Sequence, residues 1–93
     1  MDDIKELLGS IIIFLRKNLN LSQEALALKA GLDRTYVASI ENGKRNVSIV
    51  NIERIAFSLN CSLADLFNSD EFKRTSLSSR LNKVEDVNSE YYN

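Results

Sequence analysis

Four polar residues near the middle of the chain, Arg34, Thr35, Tyr36 and Ser39, have the types and spacing needed to contact nucleic acid. Arginine can donate two parallel hydrogen bonds to O6 and N7 of guanine, and a threonine methyl can contact the methyl group of thymine. A tyrosine can donate a hydrogen bond to phosphate or stack against a base. In a helix beginning at Arg34, Ser39 follows the first turn on the same outer face. These side chains are therefore candidates for recognising bases in a major groove.

Further candidates for DNA contact surround these four residues. The polar residues Asn42, Lys44, Arg45 and Asn46 follow the helix directly, within the stretch NGKRN. A stretch of this composition alone is typical of a surface loop, but its position favours contact with phosphate, and Arg45 could also reach a base. Gln23 begins the preceding predicted helix, where free N–H groups and the positive end of the helix dipole favour a phosphate.

Two short helices joined by a tight turn are predicted to hold these side chains. Each helix has one buried stripe, because apolar residues recur at helical spacing: Leu26, Ala30 and Leu32, then Val37 and Ile40. Gly31 lies where a sharp turn needs a positive φ, and Ser22 and Asp33 are placed to cap the two helices. The segment from about 22 to 42 is therefore predicted to be a helix-turn-helix, whose second helix can enter a major groove.

The same segment resembles the helix-turn-helix of the Cro/phage-repressor (xenobiotic-response-element) family. It is especially similar to the small controller proteins of restriction–modification systems, through the stretch LDRTYVASIENGKRNVS. The resemblance covers roughly Ile4 to Phe67 and rests on residue types at fixed spacing, namely Gln23, Ala27, Gly31, Val37, Ile40, Glu41 and Gly43. The chain departs from the family at Val47, where proline is frequent, and at Val50 and Phe57, where polar residues are usual.

The resemblance implies contacts with DNA by four residues: Arg34, Thr35 and Ser39 to bases, and Gln23 to the backbone. It also implies an ion pair between helices, because the family has a charged pair at the positions of Arg16 and Glu41. Glu41 would end the second helix of the motif, where its charge opposes the helix dipole, so a compensating partner is expected. This pair would orient the helix without touching bases.

The whole chain is predicted to form an all-α, five-helix, lambda-repressor-like DNA-binding domain over residues 1–68. The predicted helices cover about 3–18, 23–30, 34–41, 49–59 and 63–67. The inward stripe of the fourth is predicted to consist of Ile49, Ile52, Ile55, Ala56 and Leu59. Gly9, inside the first helix, predicts a close crossing of two helices. Residues 69–93 are rich in Ser, Asn and charge, and are predicted to be a partly disordered tail or a short extra helix.

Composition restricts the class of protein further. Ninety-three residues, 44% of them apolar, support one small domain, and the absence of proline favours helix. No apolar run approaches the ~18 residues of a membrane span. The acidic N-terminus MDDIKE argues against a signal peptide, so a cytoplasmic protein without a membrane partner is expected. The net charge is only −1, but four basic residues flank the candidate recognition helix and would give a local positive face: Lys29, Arg34, Lys44 and Arg45.

An enzyme is not expected. The chain has no histidine, no glycine-rich phosphate loop, and no Ser or Cys nucleophile with a neighbouring base. The single Cys61 excludes an internal disulfide and a cysteine-built zinc site, and it is interpreted as a small core residue rather than a redox switch. No cofactor and no metal are predicted.

The leading functional hypothesis is a sequence-specific transcriptional regulator that binds an inverted-repeat operator in double-stranded DNA as a homodimer. Control of a restriction–modification operon is the candidate role. The alternatives are a phage-type repressor, an antitoxin whose tail binds a toxin, and an adaptor that uses the same fold to bind proteins without DNA. The Arg34-Thr35-Tyr36 sequence and Gln23 favour DNA over the adaptor.

Two apolar residues of the fourth helix predict how the chain assembles. Val50 and Phe57 are seven residues apart, on a face distinct from the inward stripe, so they mark a surface for a partner. Two-fold symmetry would bring this face against its own copy, with contributions from Leu63, Leu66 and Phe67. The alternative is that the tail folds back and covers Phe57 with Leu77, Leu81 and Val84. The homodimer is the favoured interpretation.

Overall fold

The computed structural model describes residues 3–68, which form five helices, and this range contains no β-strand. The helices are α1 (Asp3–Asn18), α2 (Gln23–Ala30), α3 (Arg34–Glu41), α4 (Ile49–Ser58) and α5 (Leu63–Phe67). The predicted all-α class is confirmed. Helix α4 ends one residue earlier than predicted, because Leu59 forms its C-cap. The tail predicted over 69–93, with its candidate covering residues, lies outside the described residues.

Side-chain oxygens determine where four of the helices begin. The capping residues are Ser22, Asp33, Ser48 and Ser62. At the start of α3, the Asp33 carboxylate accepts a hydrogen bond from the backbone N–H of Thr35 at 3.1 Å. Each cap satisfies an N–H group that has no partner within its own helix, which is why these short polar residues precede the apolar stripes.

The turn between α2 and α3 is tight because Gly31 adopts the left-handed conformation, with φ of 70°. The backbone N–H of Leu32 donates to the carbonyl of Ala27 at 2.9 Å, which closes the end of α2. Residues with a side chain are strained in this conformation, whereas glycine is not. Only three residues separate the end of α2 from the start of α3.

One hydrophobic core joins the five helices. It contains Leu8, Ile11, Ile12, Leu26, Ala27, Ala30, Val37, Ile40, Ile55, Ala56, Leu59 and Leu66. Helix α3 packs against both α1 and α2, and α4 packs against α2 and α5. Within the helix-turn-helix, α3 is therefore held by α1, and α2 is held by α4.

The prediction that Ile49 faces inward is wrong, because its side chain is 60% exposed. Ile49 is the first residue of α4 and points within about 20° of Ala56, so its direction does not explain its exposure. The buried residues Ile55, Ala56 and Leu59 lie at the other end of the helix, and Ile49 extends beyond the core that they join. Val50 and Phe57 lie about 80–100° further round the helix than Ile49. All three residues are exposed, so helix α4 presents apolar side chains to solvent in addition to its buried stripe.

The assignment of Leu66 to a dimer surface is also wrong, because Leu66 is only 1% exposed. Helix α5 has only five residues and packs against α4. Leu66 is the residue of α5 that is buried in the core. Leu63 is half-buried against the same core. A residue whose surface is already covered within one chain cannot contribute that surface to a second chain.

The close crossing predicted at Gly9 is present between α1 and α3. A Cβ atom at position 9 would lie 2.6 Å from the backbone carbonyl oxygens of both Ile40 and Glu41. Backbone oxygens cannot move away as the end of a flexible side chain can. Gly9 therefore allows α1 to approach the last turn of α3.

Replacing Gly9 with alanine is expected to lower the free energy of unfolding by about 1–3 kcal/mol, the usual cost of overpacking. This loss outweighs the intrinsic helix preference of alanine, which is at most about 1 kcal/mol. Urea denaturation followed by circular dichroism measures the difference. The matched control is Ser10→Ala, at an exposed position of the same helix. Equal stability of Gly9→Ala and the parent chain would contradict the close crossing.

Candidate nucleic-acid interface

The C-terminal end of α3 is fixed by an ion pair with α1. The guanidinium of Arg16 donates from Nε to Glu41 Oε2 at 2.7 Å and from Nη2 to Oε1 at 3.0 Å. The side chains are 11% and 2% exposed respectively. Two parallel hydrogen bonds fix both the distance and the orientation of the planar groups. The structure thus brings together the two residues expected to form the interhelical pair.

Gln23 and the backbone of Leu21 complete this buried network. Gln23 Nε2 donates to Glu41 Oε1 at 2.8 Å, and Arg16 Nη1 donates to the carbonyl oxygen of Leu21 at 2.9 Å. Across residues 3–68, no buried side-chain nitrogen or oxygen lacks a hydrogen-bond partner. A buried charge is tolerated when its hydrogen-bonding capacity is satisfied. The network therefore connects α1, the turn after it, α2 and α3.

The opposite end of α3 points to solvent. Arg34 and Thr35 are exposed in the first turn, while Val37 and Ile40 anchor the helix in the core. This combination leaves the N-terminal residues of α3 accessible without exposing its apolar stripe. It is the geometry that a recognition helix needs, because base edges are contacted by residues at its N-terminal end.

A second set of contacts links α3 to the loop that follows it and to α4. Arg45 Nε donates to Ser39 Oγ at 3.0 Å, and Ser39 Oγ donates to the carbonyl oxygen of Tyr36 at 2.7 Å. The guanidinium carbon of Arg45 lies 5.0 Å from the centre of the Tyr36 ring. The Tyr36 hydroxyl accepts a hydrogen bond from Asn51 Nδ2 at 3.1 Å. We call these four residues the Arg45 network.

The structure gives Gln23 and Ser39 contacts that their types alone did not indicate. Both were predicted to touch DNA, and both direct a side-chain hydrogen bond into the protein. Asn51 was not identified as a site residue at all. Its partner Tyr36 is fifteen positions away, so local sequence spacing carries no signal for this contact.

The remaining predicted DNA contacts surround α3. Asn42, Lys44 and Asn46 are exposed, as is Arg45. Together with Arg34 they place basic and amide groups in the first turn of α3 and in the loop after its C-terminal end. Lys29, by contrast, lines a different cleft. The other three basic residues of the predicted positive face, Arg34, Lys44 and Arg45, are exposed on α3 and in the loop after it.

The predicted partner surface on α4 is exposed. Phe57 is 82% exposed, Val50 57% and Ile49 60%. Phe67, which was assigned to the same surface, lines a separate cleft with Ile4 and other residues. We call Ile49, Val50 and Phe57 the α4 apolar face.

The described residues contain no evident site for a metal. No group of three His, Cys, Asp or Glu side chains among them is arranged to hold a metal ion. Cys61 is half-buried against the core, and burial, with a smaller contribution from the Asp65 charge, raises the pKa of its thiol. The thiol is therefore the dominant form at neutral pH. Within residues 3–68, no helix has the length and apolar character needed to cross a bilayer.

Comparison with known proteins identifies the motif. A family model described as helix-turn-helix matches residues 12–66, more than half of the chain. The chain belongs to the Cro/phage-repressor helix-turn-helix family. The control protein C.MunI from Mycoplasma sp. is 51% identical over 72 residues, which cover 76% of this chain and 97% of C.MunI. The sequence resemblance to restriction–modification controllers is thereby confirmed.

Solved structures of controller proteins share the fold of this helix-turn-helix protein. The restriction–modification controller C.AhdI from Aeromonas hydrophila matches with a TM-score of 0.67 and 43% identity, covering 72% of this chain and all of that chain. The controller C.Esp1396I, solved as a tetramer with its natural 35-base-pair operator, matches with a TM-score of 0.64 and 35% identity. That match covers 67% of this chain and 82% of C.Esp1396I. The helix-turn-helix protein is thus a DNA-binding transcriptional regulator.

Removing one partner of the ion pair tests its structural role. Arg16→Met would leave the Glu41 carboxylate buried without its cation, and breaking one side of such a pair typically costs about 3–5 kcal/mol. We expect a clear fall in Tm by circular dichroism, with base preference unchanged among molecules that remain folded.

A double variant, Arg16→Met with Glu41→Leu, provides the control, because it removes the stranded charge. It is expected to be more stable than Arg16→Met alone. A Tm of Arg16→Met equal to that of the parent chain would show that the pair does not stabilise the fold.

Proposed function

We propose that this protein regulates a restriction–modification operon by binding, as a homodimer, to an inverted-repeat operator. The observation that carries the proposal is the geometry of α3. Its C-terminal end is locked by the Arg16–Glu41 pair, and its first turn exposes Arg34 and Thr35. Similarity to C.MunI and C.AhdI, which are described as control and restriction–modification controller proteins, supports this role.

Base recognition is assigned to the first turn of α3. Arg34 supplies a forked guanidinium suited to O6 and N7 of guanine, and Thr35 supplies a hydroxyl and a methyl group. Tyr36 lies beside them. Its hydroxyl already accepts a hydrogen bond from Asn51, so its own proton is available for an acceptor such as a phosphate oxygen.

Phosphate contacts are assigned to the two sides of this helix. Lys44, Asn42 and Asn46 are exposed in the loop after α3. At the start of α2, the first-turn N–H groups provide a site for a phosphate beside Gln23. The side-chain amide of Gln23 donates to Glu41, so the expected DNA contact at Gln23 is made by its backbone or its remaining amide atoms.

A homodimer follows from two features. Each chain has one recognition helix, which covers only one half-site, and each exposes the α4 apolar face. Joining two copies through this face would bury three apolar side chains per chain and would relate the two recognition helices by a two-fold axis. The neighbour C.Esp1396I forms a tetramer on its 35-base-pair operator, which supports assembly on DNA in this family.

Selection of bound duplexes from random DNA is expected to return a two-fold symmetric site, with half-site centres about 10 bp or a multiple apart. Titration should show two chains per site, and affinity should fall as salt rises, because phosphate contacts release counterions. Absence of any preferred duplex, or binding that salt does not change, would contradict the DNA-binding proposal.

Two substitutions separate base contact from phosphate contact. Arg34→Ala is expected to cost roughly 1–3 kcal/mol on the selected duplex and to relax preference at one base pair. Lys44→Ala is expected to weaken all sequences alike. Lys44 is the better comparison than Gln23, because Gln23→Ala would also remove a bond to the buried Glu41. Equal weakening of selected and random DNA by Arg34→Ala would identify Arg34 as a phosphate contact.

The α4 apolar face predicts the oligomeric state. Phe57→Lys is expected to give a folded monomer in sedimentation velocity, because a charge would be buried against its own copy. Phe14→Lys is the matched control, since Phe14 is 64% exposed on α1, and it should leave the dimer intact. A chain truncated after residue 70 should also remain dimeric. Dimeric Phe57→Lys protein would refute the interface.

A further inference from the structure

We propose that the C-terminal segment of this chain, residues 84–93, docks in a cleft between the start of α1 and the end of α5. Five apolar residues line this cleft, and we call it the α1–α5 cleft: Ile4, Leu8, Val47, Ile52 and Phe67. It shares no residue with the α4 apolar face, and its occupant is a part of the protein itself. The inference therefore goes beyond DNA binding and dimerisation.

The lining of the α1–α5 cleft leaves apolar surface uncovered. Ile4 and Phe67 are exposed, whereas Leu8 belongs to the core and Val47 and Ile52 pack against it. A single exposed apolar side chain is ordinary, but here several converge on one concave site with a volume of about 270 Å³. This volume has room for a few side chains. An apolar occupant would remove this surface from water.

The cleft also favours one sign of charge in its occupant. Lys5 and Arg45 line it beside the apolar residues, and no acidic side chain is among the described residues of the lining. Opposite charges attract more strongly where water is partly excluded than in bulk solvent. The chemistry of the cleft therefore fits a segment that is both apolar and acidic.

A segment of this composition follows the cleft in the same chain. Phe67 lines the cleft, and the described residues end at Asn68, one position later. The last ten residues of the sequence, VEDVNSEYYN, contain three acidic residues, four apolar or aromatic residues and no basic residue. The connection to Asn68, residues 69–83, can span up to about 50 Å when fully extended. Reach therefore does not limit docking.

The stretch before this segment has the opposite charge. Residues 72–83, FKRTSLSSRLNK, contain four basic residues and no acidic one. Leu77 and Leu81 could fill an apolar cleft, but they would bring Arg80 and Lys83 towards its cations. Charge therefore favours residues 84–93 as the occupant. Because the segment is tethered to the domain, its effective concentration is in the millimolar range, and even a weak contact is populated.

Amide proton–nitrogen correlation spectra of the isotope-labelled full chain test the docking. The variant Val84→Ser/Val87→Ser removes apolar surface from the segment and keeps its length and charge. Release of the segment changes the surroundings of the cleft. The amide shifts of Ile4, Val47 and Phe67 are therefore expected to change more than those of the rest of the described domain. Circular dichroism checks that the domain stays folded.

A substitution in the cleft provides the reciprocal test. Ile4→Glu places a negative charge among the lining residues and should release the acidic segment by itself. Adding Val84→Ser/Val87→Ser to Ile4→Glu is then expected to move the amides of Val47 and Phe67 no further.

Two sets of control variants define the site and the segment. Phe14→Glu changes an exposed aromatic residue of α1 outside the cleft, and in its presence the serine variant of the segment should still move the cleft amides. Leu77→Ser/Leu81→Ser should leave the cleft amides at their positions in the parent chain.

A charge reversal tests why this segment is chosen. Glu85→Lys/Asp86→Lys is expected to release the segment as the serine variant does, because its new cations would meet Lys5 and Arg45. Cleft amides that stay at their parent positions in this variant, or in Val84→Ser/Val87→Ser, would overturn the proposal.

Three other results would also overturn it. Shifts at the α4 apolar face in place of the cleft would mean that the segment covers that face. Movement of the cleft amides by Leu77→Ser/Leu81→Ser would make the upstream stretch the occupant. Loss of the effect on about tenfold dilution would mean that a second copy supplies the segment, because a tethered segment is insensitive to dilution. The spectra contain no DNA, so none of these results bears on the proposed function.

Discussion

The orientation of α3 depends on one buried carboxylate. Glu41 is the last residue of that helix, where the helix dipole disfavours a negative charge, and its side chain is almost fully removed from water. Such a charge is acceptable only with compensation, which Arg16 and Gln23 provide from α1 and α2. Because those donors come from two helices, the carboxylate fixes the direction of α3 relative to both. The Gly9 crossing places α1 against the same turn, so charge and steric fit act together.

The net charge of −1 and the proposed contact with DNA are compatible because of where the acidic groups lie. Glu41 is paired with Arg16 inside the fold, and the exposed Asp33 carboxylate is partly compensated by the hydrogen bond that it accepts from the Thr35 N–H at the start of α3. The basic groups near the helix, Arg34 and Lys44 among them, stay exposed. Long-range attraction to DNA is therefore modest, and binding would depend on contacts at short range. Dimerisation would double those contacts.

Local sequence signals predicted most of the fold, because caps, turn glycines and apolar spacing act over a few residues. Ser22 and Asp33 mark helix starts through their own side chains, and such effects need no knowledge of the tertiary structure. The errors at Ile49 and Leu66 have the opposite origin. Both are apolar at helical spacing, and only the packing of α4 and α5 decides which is covered. The contact between Tyr36 and Asn51 was missed for the same reason, since it joins two helices across a loop.

The two ends of α3 differ in how many contacts their residues make within the fold. Substitutions near its C-terminal end would disturb the buried network and the α1 crossing together, whereas Arg34 and Thr35 touch mainly solvent. Variation at positions 34 and 35 is therefore nearly independent of folding stability. A lineage of such proteins can acquire a new operator by changing exposed residues while the scaffold stays the same. For the same reason, a library randomised at these two positions should consist largely of folded proteins.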